Sequence, residues 1–178
     1  MVVFTIGHGL APPETFAALL RDAGVTLLID VRTAPGSKRN PPFRREAMEL
    51  WLPEAGIAYR WEKDLGGFRK PDPDTPNTVL REPMFRGYAD HMRTPEFRAA
   101  LDRVLADAAS NPTAVMCSES VWWRCHRRLL SDAAALLGGA EVVHLMHDGR
   151  SNPHRLTEGV RRADDHLVYD GGQETLIG

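Results

Sequence analysis

Residues 25–32, V-T-L-L-I-D-V-R, form an apolar run with no polar alternation. A strand of this kind must be covered on both faces, as happens in parallel sheets flanked by helices. Its context agrees. The stretch 2–9, V-V-F-T-I-G-H-G, reads as a buried strand ending in a glycine turn. The segment after Pro12 and Pro13 carries Phe16, Leu19 and Leu20 at helical spacing and stops at Gly24. Strand, helix and strand in succession make a βαβ unit, whose two strands run parallel.

The rest of the chain repeats that alternation. Helical patterns are expected at 43–55 (Met48, Trp51, Leu52), 85–92, 94–109 and 124–137. Strands are expected at 57–61, 113–117 and 141–146, the last of the series, with one short helix near 156–163 in a polar tail. The fold class is therefore α/β: a single three-layer domain over 1–178, with a mostly parallel sheet and helices on both faces. Residues 65–77 hold three prolines, two glycines and no periodicity, which marks a long loop or lid.

A net charge of −2 gives no global case for nucleic acid or a membrane surface. Basic residues do cluster locally, at Arg32, Lys38, Arg39, Arg44 and Arg45, and again at Arg124, Arg127 and Arg128. No apolar run approaches the roughly 18 residues of a membrane span. Two cysteines eight positions apart make a poor disulfide framework, so free thiols and a cytoplasmic protein are expected.

The densest chemistry lies at 117–127, C-S-E-S-V-W-W-R-C-H-R, between a strand and a helix. Loops at the carboxyl ends of parallel strands are where open α/β sheets place ligands. His8 follows the first strand, Asp30 and Arg32 end the second, and Cys117 and Glu119 end the third, so parallel strands would gather them on one edge. Cys117 has three readings: a thiolate nucleophile activated by the helix start and nearby arginines, a metal ligand, or a small buried hydrophobe. Cys125 is expected inside the helix. Glu119 and His126 would handle protons, and His8 and Asp30 would orient substrate. Arg32 and Arg127 would bind an anion, with Ser37, Arg39 and Tyr59 as further contacts. Arg127 has a plainer role as the salt-bridge partner of Glu119. The sequence calls for no cofactor; a transition metal, if bound, would take Cys117, Cys125 and His126. His144, His147 and His154 are each weak signals alone.

A strand ending in cysteine before a helix looks like the rhodanese and cysteine-phosphatase arrangement. Six residues separate Cys117 from Arg124, however, where a tyrosine-phosphatase loop has five, and Val121, Trp122 and Trp123 are bulky. The motifs T-I-G-H (5–8), L-I-D-V-R-T-x-P-x-S (28–37), G-I-x-Y (56–59), L-G-G (65–67), C-x-E (117–119) and C-H-R (125–127) resemble the bacterial family called domain of unknown function 488. The likeness continues to His144 and His154, and departs at Gly9, where many relatives carry serine or threonine. It implies a fold and a site but no reaction.

Three functions remain open on the sequence. The leading one is a small enzyme with a cysteine-centred site, Cys117, Glu119, His126 and Arg127, acting on an anionic, nucleotide-like molecule or nucleic-acid fragment. The second is an N-glycosidase-type enzyme for nucleotides or bases, using Asp30 or Glu119. The third is a non-catalytic module binding nucleic acid or another ligand through the basic loop and Trp51, Trp61, Trp122 and Trp123.

Overall fold

The computed structural model describes residues 1–172; positions 173–178 of the expected 1–178 domain lie outside them. The first half of the chain forms β1 (Val2–Gly7), α1 (Pro13–Asp22), β2 (Leu27–Asp30), α2 (Arg45–Glu54), β3 (Ala58–Trp61) and α3 (Pro83–His91). Then come α4 (Pro95–Ser110), β4 (Thr113–Cys117), α5 (Arg127–Leu136), β5 (Glu141–Leu145), β6 (Ser151–Pro153), β7 (Val160–Ala163) and β8 (His166–Tyr169).

Six strands form one sheet in the order β3-β2-β4-β1-β5-β6. The first five are parallel and β6 runs antiparallel on the edge beside β5. Successive residues of β2 explain its unbroken apolarity. Leu28 packs with Phe16, Leu20, Met48 and Leu52 under α1 and α2. Ile29 packs with Tyr88, Phe97, Leu101 and Leu129 under α3, α4 and α5. The protein is thus the three-layer α/β domain that a doubly covered strand requires. Helix α4 starts as its sequence dictates: Pro95 occupies the first turn, and the Thr94 hydroxyl accepts the Phe97 N–H at 3.2 Å.

The region after β5 departs from the sequence reading. Residues 141–146 do not hold the last strand, and 156–163 is not a helix. Instead β7 and β8 pair as a separate antiparallel hairpin. Leu167 and Tyr169 bury against the α3–α5 layer, and that packing overrides the weak local helical preference.

The long loop at 65–77 is tied to α3. The Asp90 carboxylate accepts from Asp72 N–H at 2.8 Å, the Thr75 hydroxyl at 2.6 Å and the Asn77 amide at 2.7 Å. Gly87 lets the loop lie directly on α3: a Cβ there would sit 1.9 Å from the Arg69 carbonyl oxygen.

Strand order places the site. The β1-to-β2 connection runs through α1 on one face, while β4 leaves into α5 on the other. Neighbours β1 and β4 therefore send their chains apart, which opens a crevice beyond their carboxyl ends.

Candidate active site

The crevice holds a cavity of about 530 Å³. His8, Arg32, Ser37, Cys117, Glu119, Arg124, Cys125 and His126 all contribute to its wall, with Gly67 and Phe68 from the long loop on one side. His8 and Cys117 share the same edge, joined by the His8 N–H on the Cys117 carbonyl at 3.0 Å. Gly7 makes this closeness feasible, since a Cβ there would lie 1.8 Å from the Glu119 carbonyl oxygen. Arg39 lines an adjoining open groove that shares His8, Ser37, Ser118 and Glu119 with the cavity.

The cysteines form one unit. Their Sγ atoms are 3.1 Å apart, and both thiols are free. Cys125 is not inside the helix, as the sequence suggested. A 3-10 turn at Trp122–Arg124 takes up the chain, Cys125 is extended, and α5 begins only at Arg127. The first N–H of that helix, on Arg127, donates to the Cys125 sulfur at 3.4 Å. The helix start thus serves Cys125 rather than Cys117. Burial and the bond to its neighbour push the Cys117 thiol well above its ordinary value. Cys125 is opposed by burial too, but the Cys117 thiol and Arg127 overcome it and bring Cys125 down to about 6.

Arg127 lies behind the pair, 1% exposed, and does not line the cavity. Its Nε donates to Cys117 Sγ at 2.9 Å and to Cys125 Sγ at 3.3 Å. Nη1 donates to Thr5 Oγ1 at 3.2 Å, and Nη2 to the Glu119 carbonyl at 2.6 Å. The salt bridge to the Glu119 side chain does not form. That carboxylate is exposed and accepts the Val121 N–H at 3.2 Å, because the loop turns its backbone, not its side chain, toward the guanidinium.

Arg32 and Asp30 form a closed buried pair. Arg32 Nε donates to Asp30 Oδ1 at 2.8 Å and Nη2 to Oδ2 at 2.7 Å, and the Tyr59 hydroxyl also donates to Oδ2. Asp30 and Tyr59 stand behind Arg32 and do not reach the cavity. The remaining Arg32 Nη1 donates to His8 Nε2 at 3.3 Å, while His8 Nδ1–H donates to the Gly9 carbonyl at 2.9 Å. Burial holds His8 at about 4, so it is neutral near pH 7. Burial likewise lowers His126 to about 4. Its Nε2–H donates to the Val31 carbonyl at 2.7 Å, which leaves Nδ1 as an acceptor beside Gly67.

Among the described residues, no three His, Cys, Asp or Glu side chains converge as a metal centre requires, so Cys117, Cys125 and His126 do not assemble as ligands. His126 spends one nitrogen on the backbone instead. No helix of the described residues is long and apolar enough to cross a membrane. Of the tryptophans, Trp61 lies under Arg45, Trp51 packs on Phe16 and Phe43, and Trp122 stacks on His144; Trp123 is 47% exposed.

Sequence reasoning undervalued Cys125, Arg124, Thr5 and Asp132. Cys125 and Arg124 lie in the reactive segment itself, and their spacing was the available signal. Thr5 lies in the T-I-G-H motif, which marks the position without showing its role, and nothing local marks Asp132.

No curated protein and no solved structure matches the chain. The family model described as Domain of unknown function DUF488 matches residues 12–134, a stretch that contains Asp30, Arg32, Cys117, Cys125 and Arg127, begins after His8 and ends before His144. That match covers well over half of the 178 residues and takes in the cysteine pair with both buried arginines, and on it the chain belongs to the DUF488 family.

Proposed function

We propose that this protein is a cysteine-centred enzyme acting on a small anionic substrate, with Cys125 as the thiolate and Cys117 as its hydrogen-bonding partner. One observation carries the reading. Arg127 is a fully buried cation, and among the described residues no carboxylate pairs with it. A buried charge without a counter-charge is strongly disfavoured. The two sulfurs on its Nε are the groups able to supply a negative charge, so the fold favours one ionised thiol there. That thiol opens onto the cavity, where Arg124 and Arg32, whose Nη1 also reaches His8, give an anion a landing place. Glu119 and the Nδ1 of His126 are the groups placed to carry protons for a leaving group or a water.

The same geometry weighs against Asp30 as the working carboxylate of an N-glycosidase, since its oxygens are occupied by Arg32 and Tyr59. It also weighs against a stacking platform for single strands, with Trp123 the one tryptophan standing clear of the fold.

Alkylation tests the reading without knowledge of the substrate. Iodoacetate and iodoacetamide deliver the same chemistry with and without a negative charge. Cys125 should label first, as read by peptide mass, and faster with iodoacetate than with iodoacetamide. Arg124→Gln should remove that preference. Labelling of Cys125 no faster than a free thiol at neutral pH, or an unvarying preference for the neutral reagent, would overturn the proposal.

A further inference from the structure

Behind Arg127 runs an unbroken file of buried polar groups that the proposed chemistry does not use. Arg127 Nη1 donates to Thr5 Oγ1, and Thr5 Oγ1 lies 2.5 Å from His144 Nδ1. His144 Nε2 lies 2.9 Å from His154 Nδ1, and His154 Nε2 lies 2.7 Å from Asp132 Oδ1. The Asp132 carboxylate also accepts the Tyr169 hydroxyl at 2.8 Å and the Thr157 N–H at 3.0 Å. Thr5, His144 and Asp132 are each fully buried, and Trp122 covers His144 in a parallel stack at 4.1 Å.

The file has a direction. A carboxylate only accepts, so Asp132 requires the proton of His154 on Nε2. With the His154 ring neutral, its Nδ1 accepts from His144 Nε2–H, which leaves His144 Nδ1 to accept the Thr5 hydroxyl proton. The Thr5 oxygen is left with its lone pairs toward Arg127. Burial lowers His144 to about 3, in keeping with a neutral ring in this arrangement. No member of the file lines the cavity, so none of them meets a ligand.

We propose that Asp132, His154, His144 and Thr5 are positioning residues that orient Arg127 against the Cys117–Cys125 pair. The proposal rests on the thiolate reading above. The four residues come from α5, the end of β6, β5 and β1, so both the helical layer and the sheet contribute to aiming the guanidinium. A generic buried network would need only to satisfy its own donors and acceptors. This one ends on the cation that faces the sulfurs, and its proton order is fixed from the far end.

Thr5→Val is the informative variant, because valine keeps the shape of threonine in β1 and removes the acceptor for Nη1. The readout is the pH profile of Cys125 alkylation by iodoacetamide. Besides Arg127, Tyr88 from α3 is a further titratable group near the pair. His8, Arg32, Glu119, Arg124 and His126 face it from the cavity wall. Thr5→Val alters none of these. The profile should move up by about one unit, with roughly fivefold slower labelling at pH 6, and Thr5→Ser should restore it. Asp132→Asn should move it the same way, and it serves as the test if Thr5→Val does not fold. A folded Thr5→Val with the wild-type profile overturns the relay and leaves the thiolate reading standing. A wild-type Cys125 with an ordinary thiol profile overturns both.

Discussion

The two buried arginines at the carboxyl edge of the sheet are built in opposite ways. Arg32 meets a carboxylate along one side of its fork, so its charge is cancelled within the fold, and its remaining edge faces the cavity. Arg127 meets two sulfurs, a hydroxyl and a carbonyl, and no carboxylate. The first is a neutralised pair that can lend a donor to a ligand at little cost. The second is an uncompensated cation whose natural partner is a thiolate. One arginine on the wall of the crevice and another behind its cysteines thus differ in how their charge is met.

Replacing each arginine by glutamine gives the largest contrast. Arg127→Gln should return Cys125 from about 6 toward the ordinary thiol value of 9.0. With the Cys117 hydrogen bond retained, a rise of about two units would take the ionised fraction at pH 7 from roughly nine-tenths to about one-tenth, close to a tenfold loss of iodoacetamide reactivity. Arg32→Gln should change that rate less than about twofold, because its charge is already balanced. Equal losses in the two variants would break the comparison.

Gly7→Ala tests the Arg127 side through the backbone. The added methyl would press on the Glu119 carbonyl, which Arg127 Nη2 binds. A stability loss of about 1–3 kcal/mol in chemical denaturation is expected, together with a raised Cys125 profile. A stable variant whose thiol profile is unchanged would show that the carbonyl contact does not matter.

Histidines stand on both walls and give the pH dependence its sign. His8 and His126 sit at about 4 and His144 at about 3 when folded, against 6.5 when unfolded. The unfolded chain therefore binds more protons below pH 6.5, and stability falls as pH drops from there toward 4. The loss should be on the order of 2 kcal/mol per histidine by pH 5. Replacing His8 by glutamine should flatten part of that slope in thermal melts; a melting temperature unchanged between pH 7 and 5 in the parent protein would refute the neutral-histidine account.

The smallest effect belongs to Tyr59→Phe, on the Arg32 side. It removes one donor to Asp30 and should cost about 1–2 kcal/mol with Cys125 alkylation untouched. A changed thiol profile would mean that the two arginines are coupled after all.

The layers were legible from residues because the signals are local. Leu27 to Ile29, the Pro12–Pro13 start of α1 and Thr94 before Pro95 each declare their element within a few positions. Gathering His8, Arg32 and Cys117 on one edge followed from parallel strands alone. Cys125 was misplaced because R-C-H-R-R-L-L continues the helical period backward, and nothing local shows that Trp122–Arg124 turns as a 3-10 segment. The work of Arg127 was hidden for a deeper reason. Its partner Thr5 lies 122 positions away, and Thr5 in turn meets His144 at a separation of 139. No window along the chain contains those contacts. The hairpin of β7 and β8 was missed because its burial comes from α3 and α5, not from its own pattern.

The insertion of β4 between β2 and β1 sets a schedule for the nascent chain. The first two strands leave the ribosome with an empty slot one strand wide between them, and each presents a bare edge to it. Nothing made before Thr113 can fill that slot. Loops this long slow the closing step and leave the edges open to strangers in the meantime. The cysteines arrive only with the strand that closes the gap, and Arg127 follows ten positions after Cys117. The contact of Arg127 with both sulfurs is therefore completed only once the strand that closes the sheet has been made.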